Sequence, residues 1–195
     1  MLAGYRGDEE EARRLLASRE PGVRAAALGA LRRMARLTEE DLGAALQDPQ
    51  AVVRRRAGQL AASVPGPDLV PALRDAAEVA EMAAWALGER GAPAAPGVVG
   101  ALSAMATGHA DALCREAAVA ALGAIGDPAG LPAVLAATTD RPPVRRRAVI
   151  ALAPFDGPEV DAALERARSD RDWQVRQAAE DLTAQPEPEG DAEDS

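Results

Sequence analysis

The chain has 195 residues and a formal net charge of −9, with no lysine, one histidine and one cysteine. The missing lysine excludes Schiff-base chemistry and pyridoxal phosphate attachment, and the single cysteine excludes an internal disulfide. A net negative charge is the wrong sign for a protein that grips nucleic acid through its phosphates.

No apolar run follows Met1, and no uninterrupted apolar stretch approaches about 18 residues. We therefore expect neither export nor a membrane span, and the expected location is the cytoplasm. Aromatic residues make up only 2% of the chain, whereas alanine and leucine are abundant. A core of such small side chains buries little area per residue, so stability must come from the stacking of neighbouring elements.

Helix-start and helix-stop signals alternate along the chain and predict an all-helical fold. Acidic residues at 8–11 begin the first helix, where the macrodipole favours negative charge. Residues 38–41 resemble a capping box that starts a later short helix. In the sequence 126–128, glycine ends one helix, aspartate caps the next and proline suits its first position. Further turns are expected at 48–49, 65–68, 91–96 and 140–143, with a longer loop near 107–110.

One pattern recurs in six of these helices. A small apolar anchor residue is followed by alanine four positions later and by leucine seven or eight positions later. The anchors are spaced by 30, 26, 35, 30 and 31 residues, and self-similarity with such a period is typical of a solenoid. Arginine follows the anchor in five of the six copies, and an acid precedes it by four or five residues in four of them. The anchors are Val23, Val53, Val79, Cys114, Val144 and Val175.

Residues 48–54 and 121–128 resemble the HEAT repeat, in particular the bacterial type named after the phycobilisome-lyase HEAT-like repeat. The family pattern is roughly D-P-x-x-x-V-R-x-x-A-x-x-A-L-G-x-x-G-D-P, and the resemblance covers about residues 8–183. It implies an all-α, right-handed α-solenoid of about six HEAT-like helix pairs in one domain, 1–183. An acidic, disordered tail is expected at 184–195. The tail holds five acids and no arginine, which leaves a net charge of −4 on the rest of the chain.

The repeated acid and arginine positions have two interpretations. The arginines could form a row that receives an anionic ligand. Alternatively, each aspartate caps a helix and each arginine reaches the aspartate of an adjacent repeat, which would form a ladder along the solenoid. The family resemblance favours the second interpretation. The residues concerned are Arg24, Arg54, Arg115, Arg145 and Arg176, with Asp48, Asp75, Asp140 and Asp170.

The candidate binding surface is the side of the second helices that faces away from the core. With the core near anchor positions zero, four and eight, positions two and six point outward. The resemblance places these second helices on the concave side of the stack. Trp85 and Ile150 are large apolar groups at such positions, as in protein-binding hot spots, although either could simply cover its neighbours. The candidate protein-binding residues are Arg55, Arg56, Gln59, Met82, Trp85, Glu89, Arg146, Arg147 and Ile150, with Glu81 and Glu116 on the same surface.

We therefore expect a non-catalytic protein-binding scaffold or adaptor that presents this surface to a protein or an extended peptide segment. Its arginines would steer acidic groups of the partner, unless the acidic tail folds back onto them. No cofactor and no metal are expected, since one histidine and one cysteine do not make a zinc site. The alternative is an enzyme acting on nucleic acid. HEAT-like bacterial alkylpurine DNA glycosylases are similar in using aromatics and an acid on the concave face, as Trp85 and Glu89 could be used.

Overall fold

The computed structural model describes residues 8–64 and 66–184. These residues form eleven α-helices and two short 3-10 helices, at Pro71–Arg74 and Pro128–Gly130, and no strand occurs among them. The α-helices are α1 (Glu9–Leu15), α2 (Pro21–Arg33), α3 (Glu39–Leu46), α4 (Ala51–Ala61), α5 (Ala77–Arg90), α6 (Val98–Gly108), α7 (Ala112–Ile125), α8 (Leu131–Ala137), α9 (Pro142–Ala151), α10 (Pro158–Arg168) and α11 (Trp173–Thr183).

The helices form six consecutive pairs, and the second helix of each pair packs on the second helix of the next. The contacts run from α2 to α4, α5, α7, α9 and finally α11. In pair three the first helix is replaced by the 3-10 helix Pro71–Arg74. The expected all-α solenoid of six helix pairs is confirmed.

Polar side chains fix the starts of several helices. The hydroxyl of Thr38 accepts the backbone N–H of Asp41, whose carboxylate accepts the N–H of Thr38 in return, so the expected capping box is present. Asp111 and Asp172 cap α7 and α11 in the same way through one backbone N–H each. Gly126, in the left-handed region with φ of 66°, ends α7, as its lack of a side chain allows.

The anchor residues form the core of the stack. Five of the six are at most 2% exposed, whereas Val23 is half-buried. Two glycines let the central second helices approach closely. A Cβ on Gly88 would lie 2.9 Å from Cα of Ala121. A Cβ on Gly123 would lie 2.7 Å from Cα of Ala151.

Two expectations about local structure need correction or limitation. The longer loop expected near 107–110 is absent, because α6 continues through Gly108 and α7 begins at Ala112. The extra residues instead form the connection 91–97 before α6. Of the predicted acidic tail, residues 185–195 lie outside the described part of the chain. None of the described helices combines the length and the apolar character needed to cross a membrane.

Candidate protein-binding face

Four of the five arginines that follow the anchors form a ladder between consecutive helix pairs. Each donates two hydrogen bonds, from Nε and Nη2, to the carboxylate of an aspartate in the next pair, over 2.5–2.9 Å. Its Nη1 donates to a backbone carbonyl just before its own helix, over 2.8 Å. The pairs are Arg24–Asp48, Arg54–Asp75, Arg115–Asp140 and Arg145–Asp170.

The ladder is an internal structural element. Hydrogen bonds from the arginines lower the pKa of each of the four aspartates below the ordinary value of 3.8. The side chains of the ladder arginines and aspartates are largely covered, and that of Arg145 is only 8% exposed. Because two strong acceptors already occupy each guanidinium, these arginines have little capacity left for an anionic ligand.

The ladder is interrupted between pairs three and four, where Ala80 takes the arginine position. At this junction the Sγ of Cys114 donates to the carbonyl of Ala77 over 3.3 Å. Burial raises the pKa of the Cys114 thiol to about 11, which keeps it protonated and unreactive. At the last pair, Arg176 donates from Nη1 to the carbonyl of Asp170 over 2.7 Å.

Large apolar side chains are exposed along the second helices, one on each of α4, α5, α7, α9 and α11. Counted from the anchor of each helix, they lie one residue before it or six residues after it, and these two positions are seven residues apart and share one helix face. Trp173 lies two residues before its anchor, at the neighbouring position. We call the surface that they mark the second-helix face. These are the exposed large hydrophobic residues of the described chain: Val52 (48% exposed), Trp85 (41%), Leu113 (59%), Ile150 (41%) and Trp173 (64%).

A groove of about 590 Å³ lies on this face around Trp85, between α5 and α7; we call it the central groove. Its charged lining consists of three glutamates, Glu81, Glu89 and Glu116, and one arginine, Arg147. Arg147 donates to Oε1 of Glu116 over a long 3.4 Å. Five of the sequence-predicted residues meet here: Gln59, Met82, Trp85, Glu89 and Arg147.

A second groove of about 310 Å³ lies between α9 and α11; we call it the C-terminal groove. It contains two predicted residues, Arg146 and Ile150, beside Trp173. The predicted site is therefore divided between two depressions on the same face.

Two predicted residues line neither groove. Arg55 is exposed on α4. Arg56 donates from Nη1 to Oε1 of Gln59 over 2.6 Å. Its Nη2 lies so close to Gly29 that a Cβ added there would be only 2.5 Å from it. Arg56 therefore packs across α2.

Sequence reasoning missed Val52, Leu113 and Trp173 as members of this face. Leu113 lies one position before its anchor, Cys114. It is seven residues before the position of its own helix that corresponds to Trp85 and Ile150. That seven-residue spacing was the signal that could have found it.

The described residues contain no group of three or more histidines, cysteines or acids that could hold a metal ion. The Nδ1 of His109 accepts the backbone N–H of Asp111 over 3.1 Å, which assigns this histidine to the turn before α7.

The fold and its repeated ladder define a helical-repeat protein with exposed hydrophobic side chains along its second helices. The chain belongs to the HEAT-repeat family, whose model matches residues 67–153 and 99–183. The narrower resemblance to the phycobilisome-lyase type stays a prediction. No curated protein matches the chain.

Solved structures share the fold. The chain is similar to an engineered protein, with a TM-score of 0.62 and 20% identity over 90% of this chain and 94% of that one. It is also similar to a designed armadillo repeat protein in complex with the peptide (KR)4, with a TM-score of 0.62 and 19% identity over 88% and 96% of the two chains. Human deoxyhypusine hydroxylase in complex with glycerol has a TM-score of 0.38, which is too low to bear on function.

Proposed function

We propose that this protein is a non-catalytic scaffold or adaptor whose second-helix face binds an extended segment of a partner protein. The observation that carries the proposal is the row of exposed large hydrophobic side chains on consecutive second helices. Apolar groups gathered on one face, among polar residues, are typical of interaction sites.

Trp85 and Ile150 serve as the apolar anchors of this face, with Leu113 and Trp173 extending their area. Helices held by a core and a ladder are already ordered before binding. The partner segment therefore meets a surface that loses little conformational freedom on association. Arg55 on α4 and Arg146 on α9 make no ion pair within the described residues, and they attract acidic groups of the partner.

The comparison with solved structures supports the choice of a peptide-like partner. The designed armadillo repeat protein with a similar fold is in complex with a peptide. At 19% identity this likeness concerns the fold, so the residues that contact the partner are proposed from this chain's own face.

Selection from a random peptide library displayed on phage tests the proposal. Peptides selected on the wild-type protein are then titrated against the double variant Trp85→Ala/Ile150→Ala. We expect binding to weaken by about tenfold or more, because truncation removes the two proposed anchors of the face.

The control for this titration is Arg166→Ala, an exposed substitution on α10, the first helix of pair six. Its binding should equal that of the wild type, and circular dichroism should show equal helicity for all three proteins. Selected peptides that bind the double variant as well as the wild type would refute the second-helix face as the binding surface.

The nucleic-acid alternative is not favoured by the charge of the central groove. Trp85 and Glu89 do meet there, as that alternative requires, but three glutamates and one arginine line the groove. Such a surface repels phosphates. We expect no salt-dependent binding of duplex DNA.

A further inference from the structure

The central groove combines an aromatic ring with unpaired carboxylates. Glu81, Trp85 and Glu89 are spaced by four residues along α5, so they follow one another on a single helix face. Neither glutamate forms an ion pair in the part of the chain that the structure describes. The ring of Trp85 is 41% exposed between them.

We infer that this groove binds a basic side chain, arginine or lysine, from the partner segment. The inference rests on the proposed function and names the chemistry that the central groove selects. The cation lies over the Trp85 ring, where the electron-rich face attracts it. Its N–H groups donate to the carboxylates of Glu81 and Glu89 in charge-assisted hydrogen bonds.

The apolar part of the groove suits the stem of such a side chain. Leu113, 59% exposed, lies on α7 and lines the same groove as Trp85, together with Met82 and Ala117. Arginine and lysine carry a methylene stem that packs on apolar surface while the charged end stays among polar groups. One basic side chain therefore matches both components of the groove.

Other side chains match it less well. An apolar group would displace water from Glu81 and Glu89 without replacing their hydrogen bonds, which is costly. An acidic group would meet three carboxylates and one arginine that is already shared with Glu116. Charge complementarity thus assigns the central groove to a cation, while Arg55 and Arg146 lie outside it.

The two tryptophans allow a direct test by fluorescence. Trp173→Phe leaves Trp85 as the single tryptophan, and Trp85→Phe leaves Trp173 in the C-terminal groove as its matched control. Each variant is titrated at low ionic strength with an octapeptide that alternates arginine and alanine. Two matched octapeptides carry citrulline, a neutral analogue of arginine, or glutamate in place of the arginine.

We expect the arginine peptide to change the emission of Trp85 in a saturable way and to leave that of Trp173 nearly unchanged. Adding Glu81→Gln and Glu89→Gln to the Trp173→Phe protein should weaken this binding by about tenfold or more. Circular dichroism should show that these changes, at half-buried Glu81 and exposed Glu89, preserve the helices.

The inference is overturned if the arginine peptide gives no saturable change at Trp85. It is also overturned if the citrulline or glutamate peptide binds equally well, or if both glutamine substitutions leave the affinity unchanged. These results leave the proposed function intact when library-selected peptides still require Trp85 and Ile150. Selected peptides that need neither residue would instead remove the proposed function.

Discussion

Two neighbouring junctions of the solenoid are held together differently. Between pairs four and five, Arg115 forms two hydrogen bonds to Asp140, and the ladder spans the junction. Between pairs three and four, Ala80 replaces the arginine, yet α5 and α7 make the most extensive helix contact in the described chain. Both of these helices have 14 residues, whereas α9 has 10.

The two junctions show that a longer helix contact can replace the charged link. Both are closely packed at a glycine, with Gly88 against Ala121 at the junction without a ladder and Gly123 against Ala151 at the junction with one. The difference lies in the length of the helices, and a long apolar contact aligns two helices without any ion pair. At the junction with shorter contact, the ion pair and the carbonyl hydrogen bonds supply part of the alignment.

The largest expected effect comes from removing a central ladder arginine. Arg115→Ala leaves the mostly covered Asp140 carboxylate with only the backbone N–H of Arg141 as donor and removes the donor to the carbonyl of His109. It should lower the free energy of unfolding by about 2–3 kcal/mol. Urea denaturation measures this. Arg176→Ala is the matched control, since Arg176 donates to one carbonyl, and it should cost about 1 kcal/mol or less. Equal losses in the two variants would contradict a special role for the aspartate pair.

A smaller effect is expected from filling the close approach of α7 and α9. Gly123→Ala places a methyl group 2.7 Å from both Cα and Cβ of Ala151, so the two helices must separate, and we expect a loss of about 1–2 kcal/mol. The control is Gly100→Ala in α6, where nothing lies within 4 Å of the added Cβ. Its better helix propensity should stabilise the protein by about 0.5–1 kcal/mol. Thermal melts of both variants check the opposite signs.

The smallest effect concerns acid. The ladder lowers the pKa of Asp140 in the folded protein relative to the unfolded chain. The resulting stabilisation is therefore present above the unfolded pKa of about 3.9, and it is lost as the pH falls below that value toward the folded pKa. Asp140→Asn should lower stability at pH 6 and flatten the decline between about pH 4 and pH 2.5. An unchanged decline, measured by urea denaturation at each pH, would show that this carboxylate is not linked to folding.

The helix pairs and the ladder could be predicted because both repeat at fixed positions relative to the anchors. Arg115 and Asp140 were found from spacing alone, and the structure joins them. The turn at 91–96 was expected, but its role in holding the extra residues and the use of a 3-10 helix in pair three could not be predicted in this way. They depend on how far each helix extends, and neighbouring helices decide that more than local signals do.

The candidate face was only partly predictable for a similar reason. Trp85 and Ile150 stand at positions that periodicity marks as outward, and both are exposed. Arg56 and Arg147 occupy position three, at the flank of the outward positions, and Arg56 donates to Gln59 while Arg147 donates to Glu116 on a neighbouring helix. Which arginine remains available depends on partners about thirty residues away in some cases, a distance that helical periodicity does not encode.

Arg176 has a further consequence for protein engineering. Its Nε and Nη2, which in the other ladder arginines hold an aspartate of the following pair, have no such acceptor in the part of the chain described through Ala184. A synthetic module grafted after α11, with an aspartate at the equivalent turn, would find its docking partner already in place. Longer arrays could thus be assembled from this protein by placing an aspartate of the added module beside Arg176.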